Sequence, residues 1–239
     1  VHLKHLQQKE ALFECVPIGM SIDTLDDICL NLKKESVIQI LAMEYPDLRG
    51  FLEGVIGLFS RNSDCRLYVL DPDRMLRLSG IDAESYITEE TGEAVRRLFA
   101  DVVERHNAYK LNGTFESAED SRPIVVFLVG LRKIKDKLDD DGRDKLKLIL
   151  EKTRGEFQMS FWAADDYLAS NSYSAETWCN GNGIWIGNGI EDQIRLKMPR
   201  RMESSGRMNF TDGYLVRQNI CRQLKMLISD NMEAEKDDE

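Results

Sequence analysis

VIQILAMEYPDLR, running from Val37 to Arg49, joins two kinds of periodicity within thirteen residues. Val37 to Met43 is a short apolar run rich in β-branched side chains, the composition of a buried strand. A turn comes next, and from Asp47 to Arg61 the apolar residues Leu48, Phe51, Leu52, Val55, Ile56 and Phe59 recur at helical spacing. Strand, turn and helix in this order are the frame in which a phosphate-binding loop is held. Such a loop needs GxxxxGK[ST]: glycines turn backbone N–H groups toward the phosphates, lysine neutralises them, and Ser or Thr binds magnesium. Laid over Ala42 to Arg49, the first glycine becomes Ala42, the second becomes Asp47, the lysine becomes Leu48 and the Ser/Thr becomes Arg49. Asp47 also puts a negative charge at the helix N-terminus, where phosphate would sit. The alternative from local sequence is that no such loop ever existed, and that Pro46 and Asp47 merely start a helix. Arg49, without a glycine nest, is a weak phosphate ligand, and Glu44 is placed to pair with it.

Outward from this frame, strand and helix signals alternate, as in a mainly parallel sheet with crossover helices. Cys65 to Leu70 predicts a strand ending at Asp71-Pro72. The longest helix is bounded by Thr88 as its cap, with Glu89 and Glu90 at the positive dipole end, and by Asn112-Gly113. Its expected buried stripe is Ala94, Val95, Leu98, Phe99, Val102 and Val103. After Pro123, Ile124 to Leu131 (IVVFLVGL) is continuously apolar and predicts a central strand. In a working ATPase site an Asp or Asp-Glu pair at the end of this strand holds magnesium and polarises water. Here the positions are Val129 and Gly130. Losses at both places agree, and neither ATP nor magnesium is expected to bind.

Asp139 to Gly155 predicts a further helix, with three acids at its start, and Gln158 to Ala164 a further strand. Asp165 to Asn182 is polar and turn-rich, Gly183 to Ile190 (GIWIGNGI) is a glycine-punctuated strand, and Gly213 to Leu227 reads as a closing hairpin. No internal repeat or linker divides the chain, so residues 1–232 are expected to form a single domain, followed by an acidic, disordered tail over 233–239. At 239 residues, 42% hydrophobic and 31% charged, the composition is that of a soluble globular protein. The longest apolar runs fall short of a membrane span, so direct membrane contact is not expected. Val1 in place of Met, leading straight into amphipathic sequence, predicts a cut inside a longer protein.

Five scattered cysteines, with no CxxC pair, argue against a disulfide framework or a zinc site and fit a reducing compartment. The net charge of −10 disfavours nucleic acid unless a local patch outweighs it. Two patches exist, Arg132, Lys133, Lys135 and Lys137, and Arg195, Lys197, Arg200, Arg201 and Arg207. The first is interrupted by one acid, the second lies in a Gly- and Ser-bearing segment with no interleaved aromatics, and a solvated face or protein contact is the expected role.

The order of pieces resembles the last ATPase-like module of the EssC/YukBA family, the membrane-anchored FtsK/SpoIIIE-type motors of type VII secretion. The pieces are VPIGMS (Val16 to Ser21), the short β segment Ile28 to Leu32, LYVLDPD (Leu67 to Asp73), RPIVVFLVG (Arg122 to Gly130), GIWIGNGIEDQ (Gly183 to Gln193) and DGYLVRQN (Asp212 to Asn219). The resemblance covers nearly the full length and implies a RecA-like α/β fold with a closing β-hairpin. In that family the terminal module is often degenerate, which matches the losses above. It further implies a cytoplasmic domain of a bacterial cell-membrane protein, without catalytic residues. Its partners would be neighbouring ATPase modules of the same chain and secreted proteins with C-terminal signals, either WXG-type or larger toxins. No substrate-binding residue can be assigned by motif. The rival functions are an active ATPase and a DNA-translocating module.

Other residues have plainer readings. Trp178 and Trp185 flank a glycine-rich turn and fit core packing better than a peptide groove. Phe161 and Trp162 are likewise expected in the core. Gly187, Asn188 and Gly189 form a turn that would approach the vestigial pocket. His2, His5 and His106 are too dispersed for a metal or relay. Of the paired acids, Asp139 to Asp141 suit a helix start, and Asp165-Asp166 are weak candidates for acid/base work. No catalytic residue and no metal ligand is assigned.

Overall fold

The computed structural model describes residues 4–8, 12–61, 64–82, 84–113, 121–153, 155–167, 179, 181–199, 208 and 211–229. The acidic tail, His2, Trp178, Arg200, Arg201 and Arg207 lie outside them.

A short helix α1 (Lys4–Gln7) precedes β1 (Val16–Ser21) and β2 (Asp27–Leu30). Then come β3 (Val37–Ala42), α2 (Tyr45–Ser60), β4 (Arg66–Leu70), β5 (Tyr86–Ile87) and α3 (Thr91–Asn112). The chain continues through β6 (Ile124–Val129), α4 (Leu131–Asp136), α5 (Asp140–Lys152), β7 (Met159–Asp166), β8 (Gly183–Ile186), β9 (Asp212–Arg217) and β10 (Ile220–Met226). All these strands join in one ten-stranded sheet, ordered β2-β1-β10-β9-β8-β3-β7-β6-β4-β5. Five of its nine neighbouring pairs are parallel, and these form an unbroken block from β8 to β5. The expected closing hairpin, β9 and β10, does not end the sheet. It continues into a second antiparallel pair, β1 and β2, so the antiparallel side is wider than expected.

The two central strands bear out the apolar runs that predicted them. Every residue of β6 is buried, as are five of the six in β3, because helices cover both faces of the parallel block. One core lies under α2, where Phe59 meets Phe127 and Trp162 edge to face. The other lies under α3 and α5. A third cluster surrounds Trp185 on the antiparallel side, with Leu41, Ile190, Leu196, Met208, Tyr214 and Val216. Trp185, Phe161 and Trp162 are therefore core residues, as expected.

Some boundaries differ from the sequence reading. The strand from Ile124 stops at Val129: Gly130 adopts φ +76°, and Leu131 opens α4, which the sequence did not announce. Helix α3 starts at Thr91 instead of being capped by Thr88, because Glu90 turns the chain with a left-handed φ of 51°. Val103 is 40% exposed and leaves the expected stripe, since α3 rests on the sheet and α5 through the arc Ala94, Val95, Leu98 and Val102. Helix α5 ends at Lys152 rather than Gly155, while Asp139 caps its start by accepting the Gly142 N–H at 2.8 Å. The strand opened by Gly183 stops at Ile186, where the glycine turn begins.

Candidate functional site

The site to test is the edge where the parallel strands end. β3 leads into the loop frame, β6 ends at Val129, and β7 runs between them. Val129 pairs with Ala164, so Asp165 and Asp166 overshoot β6, while on the other side they lie level with Leu41 and Ala42 of β3. A carboxylate pair thus stands between the two strands from which a nucleotide site would be built, although the sequence places none at the end of β6.

Tyr45, the fourth residue of the frame, reaches across this edge. Its hydroxyl donates to Asp165 Oδ1 at 2.6 Å, and the Arg132 N–H donates to Asp165 Oδ2 at 3.1 Å. The start of α2, the end of β7 and the start of α4 are tied through one carboxylate. Burial pushes the Asp165 carboxyl up to about 6, against the pull of the Tyr45 hydroxyl and the Arg132 N–H. Burial first, then the Asp165 charge, raises the Tyr45 phenol well above its ordinary range. Gly130 is fitted to this contact: a Cβ there would lie 2.6 Å from the Tyr45 hydroxyl. The Lys133 ammonium sits 4.9 Å from the Tyr45 ring centre and pairs with Asp73 at 2.7 Å.

The remaining frame positions serve packing. Ala42 is the last, fully buried residue of β3, and Leu48 points into the core beneath α2. Arg49 turns along its own helix toward Glu53, at 3.6 Å, in place of the expected partner Glu44. Asp47 stands in the first turn of α2, where burial and then the Glu44 charge push its carboxyl upward. From the antiparallel side, the turn at Gly187–Gly189 closes on the same frame, as its glycines suggested. A Cβ on Gly187 would lie 3.5 Å from Asp47 Oδ2, and one on Gly189 would lie 2.6 Å from Met43 Cγ. That turn is pinned, since the Trp185 indole N–H donates to the Asn188 carbonyl at 2.9 Å and Asn188 exchanges two hydrogen bonds with the Met208 backbone.

The first basic patch is largely spent on internal pairs. Lys133 and Lys137 both hold Asp73, Lys137 also donates to the Pro72 carbonyl at 2.8 Å, and Arg132 lies 3.8 Å from Asp136. Asp71, fully buried at the end of β4, accepts from the Met75 and Leu76 backbones and from the Tyr86 hydroxyl, each at 2.9 Å, and is a structural acceptor. Among the described residues no cluster of His, Cys, Asp and Glu is arranged to hold a metal ion. Sequence reasoning missed Tyr45 and the bridging role of Asp165. The available signal was an aromatic side chain where a phosphate loop keeps small residues.

No protein-family model and no curated protein sequence matches the chain. Solved structures do. EssC (ATPases 2 and 3) from Geobacillus thermodenitrificans aligns with a TM-score of 0.68 at 10% identity, over 92% of this chain and 42% of that one. Thermomonospora curvata EccC (ATPases 2 and 3), in complex with a signal sequence peptide, gives 0.70 at 13% identity, over 94% and 42%. The pCW3 conjugation coupling protein TcpA, a monomer form with ATPγS, gives 0.66 at 13% identity, over 98% and 70%. The chain spans less than half the length of the EssC and EccC structures. It has the RecA-like fold shared by the ATPase modules of EssC and of the type VII secretion ATPase EccC.

Proposed function

We propose that this chain is a non-catalytic ATPase-like module of a type VII secretion coupling protein, which recognises C-terminal signals of secreted proteins and regulates neighbouring motor modules. The observation that carries the loss of catalysis is the Tyr45–Asp165 hydrogen bond across the nucleotide frame. The frame does not fit magnesium-ATP. Leu48 supplies no positive charge and lies in the core, Asp47 is an acid at the helix start, and a phenol crosses the edge where phosphate would lie. With chemistry absent, the retained fold serves through its surfaces.

The peptide-bound EccC relative supports a signal-recognition role, and the partners would be WXG-type proteins or larger toxins together with adjacent modules of the same chain. The parent would be anchored in a bacterial membrane with this module on the cytoplasmic side, as for the cytoplasmic domain of EssC. No described helix is long and apolar enough to cross a membrane. Titrating fluorescent C-terminal peptides of candidate secreted proteins onto the chain tests recognition. Saturable binding of one peptide, lost when its last residues are scrambled, is expected. Failure of every peptide on a folded chain overturns it.

The ATPγS-bearing TcpA favours a second reading, an active or DNA-translocating module. The internally paired basic patch and the net charge of −10 weigh against the DNA branch. Duplex binding at physiological salt would restore it.

A further inference from the structure

Helix α2 is held at two places. Its first residue, Tyr45, closes the edge by bonding to Asp165. Further along, Gly50 and Gly54 lie opposite the core-facing residues Leu48, Phe51, Leu52 and Val55, and here the chain leaving β10 crosses the helix. The Leu227 N–H donates to the Ile18 carbonyl at 2.9 Å, which prolongs the pairing of β10 with β1. Ile228 is buried, and the Ser229 N–H then donates to the Gly50 carbonyl at 3.0 Å. A Cβ on Gly54 would lie 2.9 Å from the Ile228 carbonyl carbon and 3.1 Å from its Cα, so backbone meets backbone and the crossing requires glycine.

Glu53 ties this strap, 227–229, to a third element. It belongs to the buried residues of α2 although it lies off the core-facing stripe. Its Oε2 accepts the Ser229 hydroxyl at 3.2 Å, and its Oε1 accepts the Arg77 N–H at 2.7 Å. Arg77 follows directly on Met75 and Leu76, whose N–H groups bond to the buried Asp71 at the end of β4. The strap, α2 and the segment 75–77 thus meet at one carboxylate. A buried carboxylate is costly to leave short of donors, so losing one partner weakens the hold on the others.

The strap and the closed edge share one helix. Tyr45 and Gly54 lie about 14 Å apart along its axis. The strap is attached to α2 by two hydrogen bonds and one close backbone contact, far less than anchors β10 in the sheet, so it can open without global unfolding.

We infer that the strap 227–229 is a releasable clasp on α2, and that its seat on Gly54 and Glu53 holds the helix where Tyr45 reaches Asp165. Lifting the strap loosens the edge, and breaking the edge loosens the strap, because coupling between two sites is reciprocal. A partner that draws the strap away from α2 therefore acts on the edge without touching it. This holds whether or not the module recognises secretion signals.

Hydrogen exchange on the full chain tests the coupling, with the Arg132 amide, which donates to Asp165, reporting on the edge, and the Ser229 and Arg77 amides reporting on the strap. Gly54→Ala crowds the strap while raising helix propensity, so faster exchange would not come from a weaker helix. We expect all three amides to exchange roughly threefold or more faster in it, and Ser229→Ala to give the same pattern at smaller size if Gly54→Ala does not fold. Tyr45→Phe should in turn speed exchange at Ser229 and Arg77. Amides of α5, which belongs to the other core, should keep their rates in every variant. An unchanged Arg132 amide beside faster Ser229 and Arg77 amides overturns the proposal, since the strap would then be a local contact only. Equal acceleration in α5 also overturns it, because the variants would then act on the whole fold.

Discussion

The parallel and antiparallel halves of the sheet treat the strand edge in opposite ways. In the parallel half, Leu48 takes the position of the phosphate-loop lysine and lies in the core, while Tyr45, between the two glycine positions of the frame, is bonded to Asp165. In the antiparallel half, the turn after β8 keeps its glycines, and both carry left-handed φ values, 75° at Gly187 and 83° at Gly189. Those glycines let the turn lie against Met43 and Asp47. One half fills the frame from within, and the other covers it from outside. The edge is thus held by packing together with the hydrogen bonds to Asp165.

The sharpest way to break this contrast is to restore the missing lysine. Leu48→Lys buries an ammonium in the α2 core and should cost about 3 to 5 kcal/mol in denaturant melts, with no gain in ATP binding. Trp185→Ala, the matching change in the antiparallel half, should cost a similar 3 to 5 kcal/mol or so by the same measurement. If Leu48→Lys were tolerated and bound nucleotide, the filled frame would be a poor description of the parallel half.

Asp165 gives a pH test of the same edge. Its folded-state carboxyl titrates near 6, above the unfolded value of about 4, so the folded state holds the proton more tightly. Its contribution is therefore fully present below about pH 4 and is lost as pH rises through about 6, on the order of 3 kcal/mol. Relative to Asp165→Asn, the native chain should lose stability across that window in chemical denaturation at stepped pH. A parallel course for both proteins would leave Asp165 without a role in holding this edge.

Smaller effects are expected for the groups around it. Tyr45→Phe deletes the hydroxyl and leaves the buried carboxylate short of a donor, which should cost about 1 to 3 kcal/mol. Lys133→Gln breaks a half-exposed pair with Asp73 and should change stability by less than about 1 kcal/mol, read as a thermal shift.

Much of the fold was legible because buried parallel strands leave a plain mark. VIQILA, apolar but for Gln39, and the continuously apolar IVVFLV each became a central strand. The antiparallel half was legible as a hairpin, but the joining of β1 and β2 to it depends on pairing across about 200 residues, which no local pattern carries. Helix α4 was hidden inside a run that reads as strand, since Leu131 is as apolar as the strand before it. The frame positions were readable one by one as departures from the phosphate-loop pattern. The side chains that fill the space were not, because Tyr45 and Asp165 lie 120 residues apart and meet only through the register of β3 and β7. Arg49 pairs with Glu53 because Glu53 lies one turn along the same helix, at i+4, whereas Glu44 precedes the helix in extended backbone.

If side chains have replaced nucleotide at the edge of the parallel strands, the chain should not bind ATP. Isothermal titration of ATP into the full chain, with and without magnesium, tests this most directly. No saturable heat is expected in either condition, and micromolar binding that requires magnesium would contradict the replacement.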